Sequence, residues 1–168
     1  VFVVGETILG SAPGITPVPL SPVTAKIMWQ TEQSLLKHVL VKDGYMYFTL
    51  NGKIGEELTA GNALVAALGA DSVPVWSWHI WVTDYDPVAT QQTYISGAVM
   101  MDRNLGATVP TPDYNNLDTS WKPAAGAIYQ WGRKDPIMHE TVSVQHSWFY
   151  SVEESVQNPA LFAAGGDY

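Results

Sequence analysis

Apolar residues between positions 35 and 50 fall into two runs, Leu35–Val41 and Tyr45–Leu50, on either side of Lys42-Asp43-Gly44. Asp-Gly favours the two-residue turn that joins antiparallel strands, so the pattern predicts a β-hairpin. Its register sets Val41 against Met46, Val39 against Phe48 and Leu40 against Tyr47. A helix competes, because Leu35, Leu36, Val39 and Leu40 also fit a 3.6-residue period. Thr24–Trp29 and Asn62–Leu68 read as further strands. A loop at 69–74 leads into Val-Trp-Ser-Trp-His-Ile-Trp-Val at 75–82. In extended backbone Trp76, Trp78, Ile80 and Val82 share one face, and Val75, Ser77, His79 and Trp81 the other. Both faces are largely apolar, which predicts a central core strand with Trp76, Trp78 and most of Trp81 buried. A sugar-stacking platform is the other reading of so many aromatic rings.

The remaining pattern is weaker. Pro13, Pro17, Pro19 and Pro22 predict an extended connection over 11–23. Asp84-Tyr-Asp-Pro87 is a turn, followed by a polar stretch, and then by an apolar one at Gly97–Met101. Residues 107–123, rich in Thr, Pro, Asn and Asp, read as a loop. Ala124–Trp131 reads as a short helix closed by Gly132 and Pro136. The fold class expected is mainly β, α+β overall, with a small β-sandwich over 1–86 and a second domain over 87–168.

Composition narrows the partners. The chain of 168 residues is 46% hydrophobic and 14% charged, with a net charge of −8. That describes a folded protein without the basic patch that nucleic acid or anionic lipid requires. No apolar run approaches a membrane span. Cysteine is absent, so disulfides, thiolate metal sites and cysteine nucleophiles are excluded. The start, Val-Phe-Val-Val-Gly, has neither an initiator Met nor a basic signal segment, which points to a mature or trimmed chain.

Catalytic signals are sparse. His38, His79, His139 and His146 form no i, i+4 pair, and His139-Glu140 lacks the second histidine of a zinc-hydrolase helix. His79 reads as a structural histidine. No serine sits in a Gly-x-Ser-x-Gly elbow. Asp113, Asn115, Asn116 and Asp118 offer four oxygen donors within six residues, and Tyr114 and Trp121 flank them. Amides and carboxylates beside aromatic rings suit a sugar, and the six residues form the candidate ligand site. No metal site is expected, and calcium is the one cofactor admitted there, although the spacing departs from an EF-hand and solvated Asx turns compete. Asp102-Arg103-Asn104 and Arg133-Lys134-Asp135 read as an ion-paired, backbone-anchoring network tying the two motifs together, with a polar ligand cleft as the alternative.

Three segments, in order, carry a resemblance: Trp76-Ser-Trp-His-Ile-Trp-Val-Thr83, Met101-Asp-Arg-Asn-Leu-Gly-Ala107 and Tyr129-Gln-Trp-Gly-Arg-Lys-Asp-Pro136. Together they resemble fimbrillin-like surface proteins of Bacteroidetes that bear the Fibrobacter-type major paralogous domain. Lys42-Asp-Gly-Tyr-Met-Tyr-Phe48 resembles the β-rich module that precedes it. The resemblance implies a C-type-lectin-like second domain. Members continue into a Cys-Pro-Pro-Gly-type segment, which this sequence lacks, so 87–168 is expected to be a partial domain. It further implies an exported lipoprotein or fimbria-associated subunit at the outer membrane's extracellular face. The function expected is non-enzymatic adhesion or glycan recognition, with a glycan or surface protein as partner. The alternatives are a structural subunit that adds strands to a neighbour and a surface glycan hydrolase. The apolar start Val1–Val4, and Leu161 near the other end, are expected to pack against another chain or against absent parts of the protein.

Overall fold

The computed structural model describes residues 2–3, 6–7, 18–52, 58–131, 133–141, 143–145 and 151–163, with backbone alone for 2–3, 6–7, 18–19, 117–120, 143–145 and 163. Its elements are β1 (Phe2–Val3), β2 (Glu6–Thr7), β3 (Val18–Pro19), β4 (Thr24–Gln30), β5 (Leu36–Lys42), β6 (Tyr45–Leu50), β7 (Gly61–Leu68), β8 (Pro74–Val82), β9 (Gln92–Thr93), β10 (Val99–Met100), α1 (Leu117–Ala125), β11 (Ser143–Gln145), α2 (Val152–Gln157) and β12 (Leu161–Ala163). With 36% strand against 9% helix, the protein is mainly β within an α+β fold.

The hairpin forms where turn chemistry and apolar pattern agree. Asp43 and Gly44 both take positive φ (51° and 76°), the conformation that matches strand twist in a two-residue turn. Val41 pairs with Met46 and Leu40 with Tyr47, as the pattern predicts. Beyond them the register shifts, so that His38 and Val39 together oppose Phe48. His38 takes up this bulge in the left-handed region, at φ 52°. Val39 and Phe48 still pack against the same core, formed by Leu35, Leu36, Met46, Ala63, Val65, Ala67 and Ile80.

That core fills the space between sheet β1-β6-β5 and sheet β4-β7-β8. The central strand of the second sheet is β7, not the tryptophan strand, and all eight of its residues are buried. Three alanines and a glycine let layers close on both of its faces. β8 lies at the sheet edge, so only Ser77 and Ile80 are buried, and Trp76, Trp78 and Trp81 are half-buried. The expected facing also changes. Ala67 pairs with Trp76 but Leu68 with Pro74, so Val75 is an inserted residue. Val75 joins Trp78 and Val82 against the core, and the Trp76 ring lies instead under the Lys134 ammonium, 4.6 Å from its centroid.

The outer face of sheet β4-β7-β8 carries the second half of the chain. Trp29 and Leu64 form a second core with Met138, against which Ala127 and Ala160 pack. The helix expected at 124–131 does not form beyond Ala125. The helix runs instead over Leu117–Ala125, mostly inside the stretch read as a loop, and Gly126 (φ 76°) ends it. Residues 128 and 137 form an isolated antiparallel bridge. β11 and β12 pair in parallel around α2, and β9 with β10 in antiparallel. At the other end, Phe2 and Val3 pair with Met46 and Tyr45 of β6 in the same chain. Val1 and Val4 lie outside the described residues. No described helix is long and apolar enough to cross a membrane.

Candidate functional site

The outer face of the sheet is polar where it meets the second half. Asn62, 2% exposed at the start of β7, donates from Nδ2 to the Gly106 carbonyl at 2.8 Å. Its Oδ1 therefore faces His79 Nε2, also at 2.8 Å, and that nitrogen must carry the proton. Burial holds the His79 pKa below its ordinary value, with Asp135 opposing, which favours the neutral ring. Gly106 (φ 81°) admits the contact, because a Cβ there would stand 3.1 Å from Ala127 and 3.2 Å from Asn62 Oδ1.

Two residues along β8, Ser77 donates from Oγ to Asp135 Oδ2 at 2.5 Å. Lys134 Nζ donates to Ser77 Oγ at 2.7 Å, to the Ser77 carbonyl at 2.8 Å and to Asp135 Oδ1 at 2.5 Å. Desolvation lowers the Lys134 pKa, against the opposing pull of Asp135. Buried charge is tolerated here because each partner is held by the other and by the strand.

The end of β8 is bolted separately. Trp81 stacks on Tyr85 at 5.5 Å, and the Arg103 guanidinium lies 4.8 Å from the Tyr85 ring centroid. Arg103 grips Asp102 with two bonds, Nε to Oδ1 at 2.8 Å and Nη2 to Oδ2 at 3.2 Å. The Asp102 carboxyl is held below the usual carboxylate range, chiefly by that hydrogen bond. Asn104 donates to the Ala124 and Ala125 carbonyls at the end of α1, at 3.4 and 3.1 Å, where helical partners run out. Arg133 Nη2 donates to the Pro159 carbonyl at 2.7 Å. The two charged motifs thus act as anchors, as expected, but these bonds tie each to other parts of the chain rather than to one another.

Beside the Arg103 anchor opens a cleft of about 610 Å³, lined by Leu58, Thr59, Ala60, Val82, Thr83, Asp84 and Thr108. It lies at the junction of the two halves, a common place for ligand sites. Among the described residues, hydroxyls and one carboxylate share its wall with aliphatic side chains. A second opening, of about 520 Å³, lies on the Asp102-Arg103-Asn104 side and is lined also by Val99, Met100 and Leu105.

Of the ligand residues expected from sequence, Asp113, Tyr114, Asn115, Asn116 and Trp121 line neither opening. Asp113 Oδ1 accepts from the Asn115 amide at 2.9 Å, an Asx turn, and its carbonyl accepts from the Asn116 amide at 3.0 Å. Asn116 is the residue before α1. Tyr114 stands exposed, while Trp121 packs edge-on against His139 at 4.6 Å. The Asp118 side chain, like His146 and Gly132, lies outside the described residues. Among the described residues no three His, Asp or Glu side chains group where they could hold a metal ion. Nothing in the sequence marks the cleft residues, because threonines and a lone aspartate after a strand carry no motif. No protein-family model, no curated protein and no solved structure matches the chain.

Proposed function

We propose that the protein is a non-enzymatic glycan-recognition protein of the bacterial cell surface, acting in adhesion or within a larger surface assembly. The cleft beside Asp84 carries this reading. Its size suits one or two sugar rings, its threonine hydroxyls and carboxylate suit sugar hydroxyls, and Leu58 and Val82 offer aliphatic surface to C–H groups. Hydrolysis is less favoured, since a glycosidase sets two carboxyl groups across the scissile bond. Asp84 is the single acid among the described residues lining the cleft. The placement at the outer surface of a Bacteroidetes-type cell rests on the resemblance of the Trp76–Thr83, Met101–Ala107 and Tyr129–Pro136 segments to fimbrillin-like proteins.

A glycan array probed with the purified protein tests the reading. Thr108→Val keeps the shape of that side chain and removes its hydroxyl, and is expected to weaken the strongest hits by about tenfold, one good hydrogen bond's worth. An array without hits, or hits indifferent to this change, would speak against the cleft. Binding is expected to persist in EDTA. Loss of binding on chelation would return attention to calcium at Asp113, Asn115, Asn116 and Asp118.

A further inference from the structure

We infer that the cleft selects glycans without acidic groups, and that Asp84 sets this selectivity by accepting hydrogen bonds from a pair of neighbouring sugar hydroxyls. This rests on the glycan reading and specifies its ligand. The Asp84 side chain is 92% exposed in the cleft wall, and its ion-pair partner among the described residues is Arg103, with Nη1 at 3.9 Å. That cation is already committed. Its side chain is 7% exposed, two of its nitrogens hold Asp102, and its plane lies over Tyr85. Turning it toward a ligand would break those contacts and leave the Asp102 carboxylate without its closest partner. The other described residues lining the cleft, Leu58, Thr59, Ala60, Val82, Thr83 and Thr108, carry no charge.

Among the described residues the cleft therefore presents a carboxylate whose charge is incompletely neutralised. An ionised carboxylate only accepts hydrogen bonds, and each of its two oxygens can accept one from one of two adjacent hydroxyls. A uronate, sulfated or sialylated sugar brings a like charge to the same wall, and the net charge of −8 on the chain repels it further. A neutral or amino-bearing sugar meets no such penalty.

The test is titration of the protein with neutral gluco-, galacto- and manno-oligosaccharides and with oligogalacturonate and sulfated galactan fragments, at low and high salt. The neutral sugars should bind at least about tenfold more tightly than the acidic ones at low salt, with the gap narrowing as salt rises. Asp84→Asn should narrow the gap at low salt by improving the acidic sugars, and Asp84→Ala should weaken the neutral ones. Acidic sugars that bind as well as neutral ones, or a gap that Asp84→Asn leaves unchanged, would overturn the inference while leaving glycan recognition standing. Binding by neither class would remove the glycan reading, and this inference with it.

Discussion

Asn62 is the residue on which two layers of the molecule meet. Its amide donates to the Gly106 carbonyl and its carbonyl accepts from His79, so one side chain joins β7, β8 and the loop after Arg103. Asn62→Asp keeps the shape but loses the donor and sets a buried carboxylate against a carbonyl oxygen. It should destabilise the protein by about 2–3 kcal/mol in urea unfolding. His79 and Asp102 give stability a pH dependence of known sign. Both have lowered pKa values when folded, so the unfolded chain takes each proton first as the pH falls. The His79 contribution is complete above about pH 6.5 and declines below it, and the Asp102 contribution is complete above about pH 4 and declines below it. Melting temperature measured against pH should show the upper decline in the native protein. His79→Gln should flatten that part and leave the acidic one.

At the scale of elements, the hairpin turn offers a clean test. A Cβ at Gly44 would meet nothing within 4 Å, so substitution there acts through backbone conformation alone. With φ at 76°, Gly44→Ala should cost about 1 kcal/mol. An unchanged midpoint in chemical denaturation would mean that the turn is not held in this form. The hairpin, β4, β7 and β8 were legible in sequence because turn chemistry and a period of two point the same way. The bulges at His38 and Val75 were not, since an inserted residue leaves the composition of a strand unaltered and shifts which side chains share a face. Abundant tryptophan marked β8 as central, yet the sheet centre went to the small residues of β7, which let both neighbouring layers approach. α1 was hidden for another reason. Its sequence holds Asp, Thr, Ser and Pro123, all weak helix formers, and its last carbonyls are met by Asn104, about twenty residues earlier.

For the whole molecule, the outer face of sheet β4-β7-β8 is the platform on which the second half is built. Ser77, Lys134 and Asp135 form its charged clamp, and Asn62 its neutral one. Ser77→Ala removes a partner from the buried Asp135 carboxylate and from the half-buried Lys134 ammonium, and should cost about 2–3 kcal/mol. Hydrogen exchange should then quicken in the segments around 104–108 and 133–138 before it quickens in β5 and β6. Equal quickening throughout would show that the two layers unfold as one. The cleft follows from the same arrangement, because Thr83 and Asp84 leave the sheet edge where Thr108 arrives from the second half. Sequence alone could mark Asp113–Trp121 as chemically suited to sugars, but had no means of bringing Thr59, Asp84 and Thr108 together from three distant segments. Hydrogen exchange of the protein saturated with its best-bound oligosaccharide decides between the two places. Protection is expected at residues 58–60, 82–84 and 106–108, and protection confined to 113–121 would contradict the cleft.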